Sequence, residues 1–457
     1  MAPWCEAATT RNQRKTPSAN RTKGLLWAGL ALAMAAAPVE TQAGPVSEPG
    51  LDSVPETVLE PATTGPTLNR LLNSPQWLDL GLSIHSDGLG NPRGGTRKTT
   101  NWIQQTTFDA SFSRGFGKNV ALWKEADNWK GHLELTLFSG RAGYGQTIGS
   151  AFPLTANDHP IGLWLTEASV TRSAGMGEVD LKAGVLSLNP GFIEAPVFDA
   201  YVNSVFNDTL NLNVTGLPIN PLVAPGVELH WRPGTAGQGS TGDLGPYGEW
   251  RYGAFLLNPQ NALASLFGVN PGQPQINGSM QLVQWSFDRL PSAKHLKEPI
   301  KRGQQTIARQ LPPPLFQIGG GYLNDQTNNT ETPGMFSTLT LAAPTPLGLD
   351  NRFWVGLSNG LTTSTNPTPL FVSGGWLSQG VIPGRPLDVL ALGLGRSSFN
   401  SAVMTGLNPE TLLELNYSAV INSTLSLQPF LQWVINPGGT GTTANILALG
   451  LQLQLQF

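Results

Sequence analysis

The chain has 457 residues, of which 12% are charged, and its formal net charge is −3. The charged fraction is about half of that usual for soluble domains, and this net charge provides no basic field to favour nucleic acid. Its single cysteine, Cys5, excludes a disulfide framework within one chain. Mean hydropathy is −0.10, and no apolar run after the N-terminal region reaches the roughly 18–20 residues of a membrane-spanning helix.

The N-terminal region has the order of features found in an export signal. Arg21 and Lys23 precede an apolar run at 24–39, and small residues follow it. Charged, apolar and small residues in this order are typical of a cleaved signal peptide, so we predict a signal peptide over 1–43. Residues 44–76 are rich in proline, threonine, serine and glutamate, and this composition predicts a flexible N-terminal segment.

From Trp77 onward, apolar and polar residues alternate in segments separated by clusters of Gly, Pro, Asn, Asp and Ser. A period of two predicts β-strands with one apolar and one polar face. The last segment shows it most clearly, because leucines at every second position from Leu447 lead to an aromatic C-terminus, Phe457. About sixteen segments follow this pattern. They lie near 78–85, 108–113, 132–137, 160–172, 177–187, 225–232, 246–257, 279–288, 314–323, 335–343, 351–359, 368–378, 386–396, 409–421, 424–435 and 443–457.

Two architectures accommodate such strands. A membrane barrel turns each apolar face to lipid and each polar face to a lumen, so its average composition is poor in charge without being conspicuously apolar. A soluble sheet of low charge is the alternative, although a flat terminal strand invites aggregation there. We predict an all-β fold over 77–457, a transmembrane antiparallel β-barrel of about 16 strands, which is wide enough for a water-filled channel.

The positions of aromatic residues fit this barrel, and the lengths of its connections fit it in part. Aromatic girdles lie at membrane interfaces, and six aromatics on the apolar face near strand ends fit: Trp231, Trp250, Tyr252, Trp285, Tyr417 and Trp433. Long connections should lie on one side of a barrel, and the stretches 87–103, 139–159, 188–224 and 258–278 obey this rule. The stretches 117–128, 233–245 and 289–313 do not. The last is basic, and we interpret it as a flap or as a miscounted strand.

The C-terminal region resembles a known family. The residues that carry the resemblance are Pro409-Glu410-Thr-Leu-Leu-Glu414-Leu-Asn-Tyr417, Leu427-Gln428-Pro429-Phe430-Leu431-Gln432 and Ile435-Asn436-Pro437-Gly438-Gly439, followed by the terminal strand. They resemble the C-terminal signature of the carbohydrate-selective porins, the OprB family of the bacterial outer membrane. The resemblance implies a passive channel whose constriction selects sugars. The family usually has an acidic residue where this chain has Phe430, which weakens the inference of sugar selectivity but not that of a pore.

A sugar channel needs a polar wall that binds weakly enough to release its solute. Polar residues on the face opposite to the apolar one are therefore candidates for the pore lining. They are Glu228, His230, Glu249, Arg251, Arg352, Trp354, Glu410 and Glu414. Charges of both signs suit neutral polyols, because a wall of a single sign would select ions. The segment 188–224, with Glu194, Asp199 and Asn203, is the candidate for a loop folded into the pore.

Catalytic and cofactor signals are weak. The five histidines form no His-x-x-x-His pair, no thiolate remains once Cys5 is removed, and Gly319–Gly321 lacks the Lys-Ser/Thr of a phosphate loop. We therefore predict no enzyme activity, no cofactor and no metal site. The expected partners are sugars together with outer-membrane lipid and lipopolysaccharide, but not nucleic acid, and the chain is expected to be a monomer or a trimer in the bacterial outer membrane.

Three alternatives remain open from sequence. The first is a general-diffusion porin without sugar preference. The second is a secreted soluble β-protein that binds glycans, built as two stacked sheets with leucines between them. The third is a hydrolase on an outer-membrane barrel, which needs an exposed Ser/His pair at a strand rim. His132 with a nearby serine is the only candidate for such a pair.

Overall fold

The computed structural model describes residues 58–59, 67–112, 129–174, 177–188, 191–207, 222–235, 244–257, 277–296, 300–302, 305–326, 329–344, 347–362, 366, 368–402 and 404–457. The predicted signal peptide at 1–43 lies outside these residues, as does most of the predicted flexible segment at 44–76, so both stay predictions. No helix in the described part of the chain is long and apolar enough to cross a membrane.

Sixteen antiparallel strands form a closed barrel, which confirms the predicted fold class. In chain order they are β2 (Leu78–Arg93), β3 (Thr100–Phe112), β4 (Trp129–Gly140), β5 (Gly162–Ala174), β6 (Val179–Leu186), β7 (Ala224–Trp231), β8 (Glu249–Leu256), β9 (Gly278–Phe287), β12 (Leu315–Asp325), β13 (Thr330–Ala342), β14 (Asp350–Gly360), β15 (Leu370–Gln379), β16 (Val389–Ser398), β17 (Glu410–Val420), β18 (Leu425–Ile435) and β19 (Ile446–Gln456). Each pairs with its neighbours in this order. The two stacked sheets of the soluble alternative are not the architecture observed.

Closure of the barrel depends on the last strand. β19 pairs with β2 in a register that places Gln454 opposite His85. Beyond it, the N–H of Phe457 donates to the carbonyl of Leu82 at 2.9 Å, and Leu82 returns a bond at 3.3 Å. The last residue of the chain therefore continues the ladder that closes the barrel.

The period-two pattern separates an outer from an inner face along each strand. On β19, Leu449 and Leu451 are half exposed on the outer wall, whereas Ala448 and Gln452 are buried inside. This alternation gives the barrel an apolar exterior and a polar interior.

The six predicted interface aromatics all lie on the outer wall. Four of them, Trp231, Trp250, Tyr252 and Trp433, have side chains exposed by 42–46%. Trp285 lies 6.1 Å from Trp250, measured between ring centroids. Five of the six rings lie near the end where β2 begins and β19 ends, which we call the terminal end, and they surround part of the wall there, whereas Trp433 lies near the opposite end, where β18 ends.

Connection lengths differ from the expectation at two places. The stretch 87–103 was predicted to be a long loop, which is wrong, because β2 and β3 pair out to Gly90 and Thr100. Gly94 and Gly95, with φ of 77° and 75°, make the short turn between these strands. The polar and glycine-rich end of β2 has no apolar alternation, so sequence reasoning ended that strand early.

The basic stretch 289–313 adds no strand to the barrel. It contains a 3-10 helix, Pro291–Leu296, and two short strands, β10 (Ile300–Arg302) and β11 (Gln305–Ile307). These form a separate small sheet, in which β1 (Val58–Leu59) pairs in parallel with β11. Leu311 then joins the buried apolar cluster inside the barrel. The strand count was therefore right, and this connection folds back over the terminal end.

Three short α-helices complete the described structure: α1 (Leu68–Leu72), α2 (Tyr144–Ile148) and α3 (Ser204–Asn207). α1 precedes the barrel, where Thr67 caps it by accepting a hydrogen bond from the N–H of Arg70. The side chain of Asn69 accepts the N–H of Leu80 at 2.7 Å. This bond ties the chain before the barrel to its first strand.

The two faces of β19 make a direct prediction. Arginine at Leu451, half exposed on the outer wall at mid-strand, should lower the free energy of unfolding by about 2–4 kcal/mol in phospholipid vesicles, because the charge faces hydrocarbon. Arginine at Gln454, which faces the lumen, should cost much less. Denaturant unfolding of the two variants in vesicles checks this. Equal losses would mean that lipid does not cover the outer wall.

Candidate solute pathway

Two connections fold into the barrel from the end opposite to the terminal end. The 141–161 segment joins β4 to β5 and contains α2, and the 191–207 segment lies between β6 and β7 and contains α3. Side chains of both segments share one buried cluster with inward-facing wall residues such as Leu412 and Phe430. Leu412 and Phe430 point into the barrel, because their neighbours in sequence point outward. The two segments that pack against them therefore lie in the lumen.

Aromatic packing holds the 191–207 segment against one wall. The indole N–H of Trp354 donates to the hydroxyl of Tyr201 at 2.8 Å, and that hydroxyl donates to the carbonyl of Leu392 at 3.0 Å. Phe198 meets the edge of Trp354 with 5.2 Å between ring centroids. A Cβ added at Gly393 would lie 2.6 Å from the Tyr201 ring. Glycine at this inward position therefore makes room for the segment.

Phe430, at the position where the resemblance implies an acidic residue, is buried in the same cluster. Its ring covers Gly450 of β19, where an added Cβ would collide with it. This inward position therefore supplies packing beneath the segments.

Two predicted pore residues on β17 contact the segments directly. Glu414 has no exposed side-chain surface and accepts the N–H groups of Val202 and Asn203 at 2.8 and 2.9 Å. Glu410 accepts the Ser150 hydroxyl at 2.9 Å and the Ala151 N–H at 3.0 Å. Both glutamates face inward, but the segments cover them.

Trp354 and Arg352 are covered as well, at 2% and 0% exposure. Arg352 forms an ion pair with Asp350 at 2.7 Å and donates to the carbonyl of Pro312, in the connection over the terminal end. The contact with solute predicted for Arg352, Trp354, Glu410 and Glu414 is thus replaced by contact with segments lying over the wall. The sequence showed which face each side chain occupies but not what covers it.

The predicted residues on β7 and β8 form a second group at the base of the 191–207 segment. Glu228 and Glu249 are buried, and the Glu228 carboxylate lies against Gly191. Arg251 donates to the carbonyl of Gly191 and pairs with Glu249. The imidazole Nε2 of His230 lies 3.4 Å from Glu228. Arg251 and His230 keep part of their side chains exposed to the lumen.

The three predicted residues of the inward loop differ in exposure. Asn203 is buried, and its side chain donates to Gln432 at 3.3 Å and accepts the Val205 N–H at 2.9 Å. Glu194 is half-buried, and Asp199 is exposed. Asp199 is therefore the acidic residue of this segment that is open to water.

The opposite wall carries polar groups that sequence reasoning missed. Asp109, Glu134 and Glu167 lie in register on β3, β4 and β5. The Glu167 carboxylate pairs with Lys182 of β6 at 2.7 Å. Asp109 and Glu134 fall on the polar face of an alternating pattern, so they could have been found. Glu167 lies at a register shift between β4 and β5, which alternation alone does not reveal.

Three hydroxyls follow the same strands. Thr136 lies 3.1 Å from Thr107 and 3.1 Å from Thr166, measured between hydroxyl oxygens. All three side chains are buried, and because hydroxyls both donate and accept, this ladder links β3, β4 and β5 beside the carboxylates and is not open to the lumen.

Ser111 and His132 form the pair considered for a hydrolase. The serine oxygen lies 3.0 Å from Nδ1 of the imidazole. Both side chains lie on the inner face, whereas a lipid hydrolase needs its nucleophile at the outer rim. Among the described residues, no group of three or more His, Cys, Asp or Glu is placed to hold a metal ion.

Comparison with known proteins agrees with this architecture. Residues 318–457 match the family described as "Carbohydrate-selective porin, OprB family". No curated protein matches the chain. The high-pH structure of Pseudomonas putida OprB is similar with a TM-score of 0.65 and 16% identity, over 85% of this chain and 96% of that one. The low-pH structure of the same protein gives 0.51 and 13%, over 85% and 95%.

At these identities the solved structures establish the fold alone, while the family match covers the C-terminal third of the chain. That third contains the residues on which the resemblance was based. The protein therefore has a porin fold, and the predicted resemblance of its C-terminal region to the carbohydrate-selective porins of the OprB family is confirmed by the match over residues 318–457.

Proposed function

We propose that this protein is an outer-membrane porin through which small neutral solutes, chiefly carbohydrates, diffuse passively. The observation that carries the proposal is the closed barrel of sixteen strands with an apolar outside and two segments folded into its polar inside. Sixteen strands enclose more space than side chains alone can fill. The family match over residues 318–457 supports the solute class and a channel function, and an outer-membrane location fits the apolar outside of the barrel.

The pathway in this proposal runs between the 191–207 segment and the wall formed by β2 to β6. Asp199 is exposed on the segment, and the wall carries partly exposed side chains such as Asp109 and Glu134. Sugar hydroxyls can donate hydrogen bonds to the carboxylates on this wall. Such exchangeable bonds favour entry without trapping the solute.

One observation favours general diffusion as a second candidate. The predicted stacking partner for sugar rings, Trp354, is buried beneath the 191–207 segment, and Phe430 is buried as well. Other large inward aromatics of the described wall, Phe255, Phe336 and Phe371, are also covered. Sugar preference would therefore depend on hydrogen bonds, which discriminate a sugar from another polar solute less sharply than stacking and hydrogen bonds together.

Electrical recording with a sugar titration tests the proposal. Purified protein in a planar bilayer should give stepwise conductance, and added linear oligosaccharides should reduce the ion current saturably, because they occupy the same pathway. Liposome swelling with a pentose and with a zwitterionic amino acid of similar mass is the matched comparison. Equal swelling rates and an unblocked current would leave general diffusion, and the absence of conductance would refute the pore.

Asp199 supplies a pH-dependent test of where the pathway lies. Protein atoms around this carboxyl withhold water from it although its surface is open, and this desolvation raises the pKa of Asp199 to about 6. The group is thus neutral below about pH 6 and negatively charged above it. Its charge attracts cations only in the ionised form.

Potassium conductance should therefore rise as pH increases through about 6, most clearly at about 10 mM salt, where the Debye length is about 30 Å. Asp199→Asn should remove this step, so that the conductance stays at the lower value both below and above pH 6. Glu194→Gln, on the same segment, is the control and should retain a midpoint near 6. An unchanged titration in Asp199→Asn would place the pathway away from Asp199.

A further inference from the structure

Glu414 and Glu410 are buried carboxylates on one strand, four residues apart and on the same inward face. Each accepts hydrogen bonds from a different inward segment. In the part of the chain that the structure describes, the partners of both are uncharged donors and no basic side chain pairs with either. Buried carboxylates are costly unless their oxygens are satisfied, so these hydrogen bonds are what stabilises the two glutamates inside the barrel.

The partners of Glu414 show what it does. Its two oxygens separately accept the consecutive backbone N–H groups of Val202 and Asn203. Wall amides complete the set, because Asn416 donates at 2.7 Å and Gln432 at 3.0 Å. All four partners are donors, and only an ionised carboxylate offers acceptors alone. A glutamine in place of Glu414 would have the same shape, but its NH₂ group would face one of these donors and could not accept its hydrogen bond.

Glu410 performs the corresponding task for the 141–161 segment. It accepts the Ser150 hydroxyl and the Ala151 N–H, and it also accepts the N–H of Gly438 in the connection before β19. One carboxylate thus joins this segment to a neighbouring loop at the end opposite to the terminal end.

The two segments also bind each other. The N–H of Ala156 donates to the carbonyl of Val202 at 2.8 Å, and the hydroxyl of Ser204 donates to the carbonyl of Pro153 at 3.0 Å. Gln432, which donates to Glu414, also donates to the carbonyl of Leu154 at 2.8 Å. A displacement at Val202 therefore breaks its bond to Ala156 and moves Asp199, three residues earlier, while Glu410 still holds the 141–161 segment.

We propose that Glu414 is the positioning residue that sets the width of the solute pathway, by holding the 191–207 segment against the wall, and that Glu410 separately holds the 141–161 segment. The inference rests on the proposed pore function. The wall lies directly behind the 191–207 segment, so a segment released from Glu414 has room only toward the open lumen. Release therefore narrows the pathway.

The test compares Glu414→Gln with Glu410→Gln. Asp388→Asn is the matched control, because Asp388 is also a buried carboxylate that accepts a backbone N–H, from Val420 at 3.1 Å. Its partners, Arg385, Tyr417 and Val420, belong to neither inward segment. Each purified variant is first shown to retain a folded barrel by heat-modifiable migration in electrophoresis. It is then digested with chymotrypsin and recorded in planar bilayers.

In Glu414→Gln we expect cleavage after Phe198 or Tyr201, and single-channel current about 2-fold lower with frequent brief closures, because the loosened segment enters the pathway. In Glu410→Gln the new cleavage should lie after Tyr144, with a smaller effect on current. Asp388→Asn should match the wild type in both measurements. Cleavage sites identified by mass spectrometry separate loosening of one segment from general weakening of the barrel, which would expose both.

The inference is overturned if Glu414→Gln folds, resists chymotrypsin and conducts as the wild type does. If this variant does not fold, Glu414→Asp takes its place. It keeps the charge, but its shorter side chain cannot reach both N–H groups, and the same cleavage after Phe198 or Tyr201 is expected. If the wild type itself forms no channel, the proposed function fails, while the cleavage pattern still decides whether the two glutamates hold the segments.

Discussion

Backbone hydrogen bonding is the constraint on which this structure depends. In a lipid environment each strand N–H and carbonyl needs a protein partner, and a sheet meets this need only when it closes on itself. The closing pair is β19 with β2, continued by the reciprocal bonds between Phe457 and Leu82. The alternation of leucine with glutamine along β19 follows from that closure, because a strand in a closed sheet has one face outside and one inside.

The same constraint applies inside the barrel, where the two inward segments bring irregular backbone into the lumen. Where their N–H groups find no backbone partner, side chains must satisfy them. Glu414 and Glu410 do this for Val202, Asn203 and Ala151. Apolar packing of Tyr201 against the wall supplies the rest of the adhesion. Carboxylates on an inner wall can therefore accept hydrogen bonds from the backbone of an inward segment as well as from a passing solute.

Sequence reasoning recovered the strands and their faces because both follow from local periodicity. Leu451 and Gln452 could be assigned to opposite sides of the wall without knowledge of any contact. Periodicity failed where local composition was not two-faced, as at the glycine-rich end of β2, and where a register shift placed Glu167 on the inner face. It also gave no account of Trp354, whose inward direction was correct but whose surroundings depend on a segment about 150 residues away in sequence. Burial by a distant loop is a tertiary property, and the only local trace of it was the glycine at positions such as Gly393, where the segment approaches closely.

These placements change which chemistry is available for selecting a solute. With Trp354 and Phe430 covered, the inner aromatic rings contribute adhesion of the 191–207 segment and are not free to stack on sugars. The open wall instead presents the partly exposed carboxylates of Asp109 and Glu134. Hydrogen bonds to such groups are exchanged readily with water, so each contributes little net free energy. Discrimination between solutes must then come mainly from the width and shape of the gap beside Asp199. If Glu414 sets this gap by holding the segment, as we propose, the selectivity of the channel depends on buried residues that do not touch the solute.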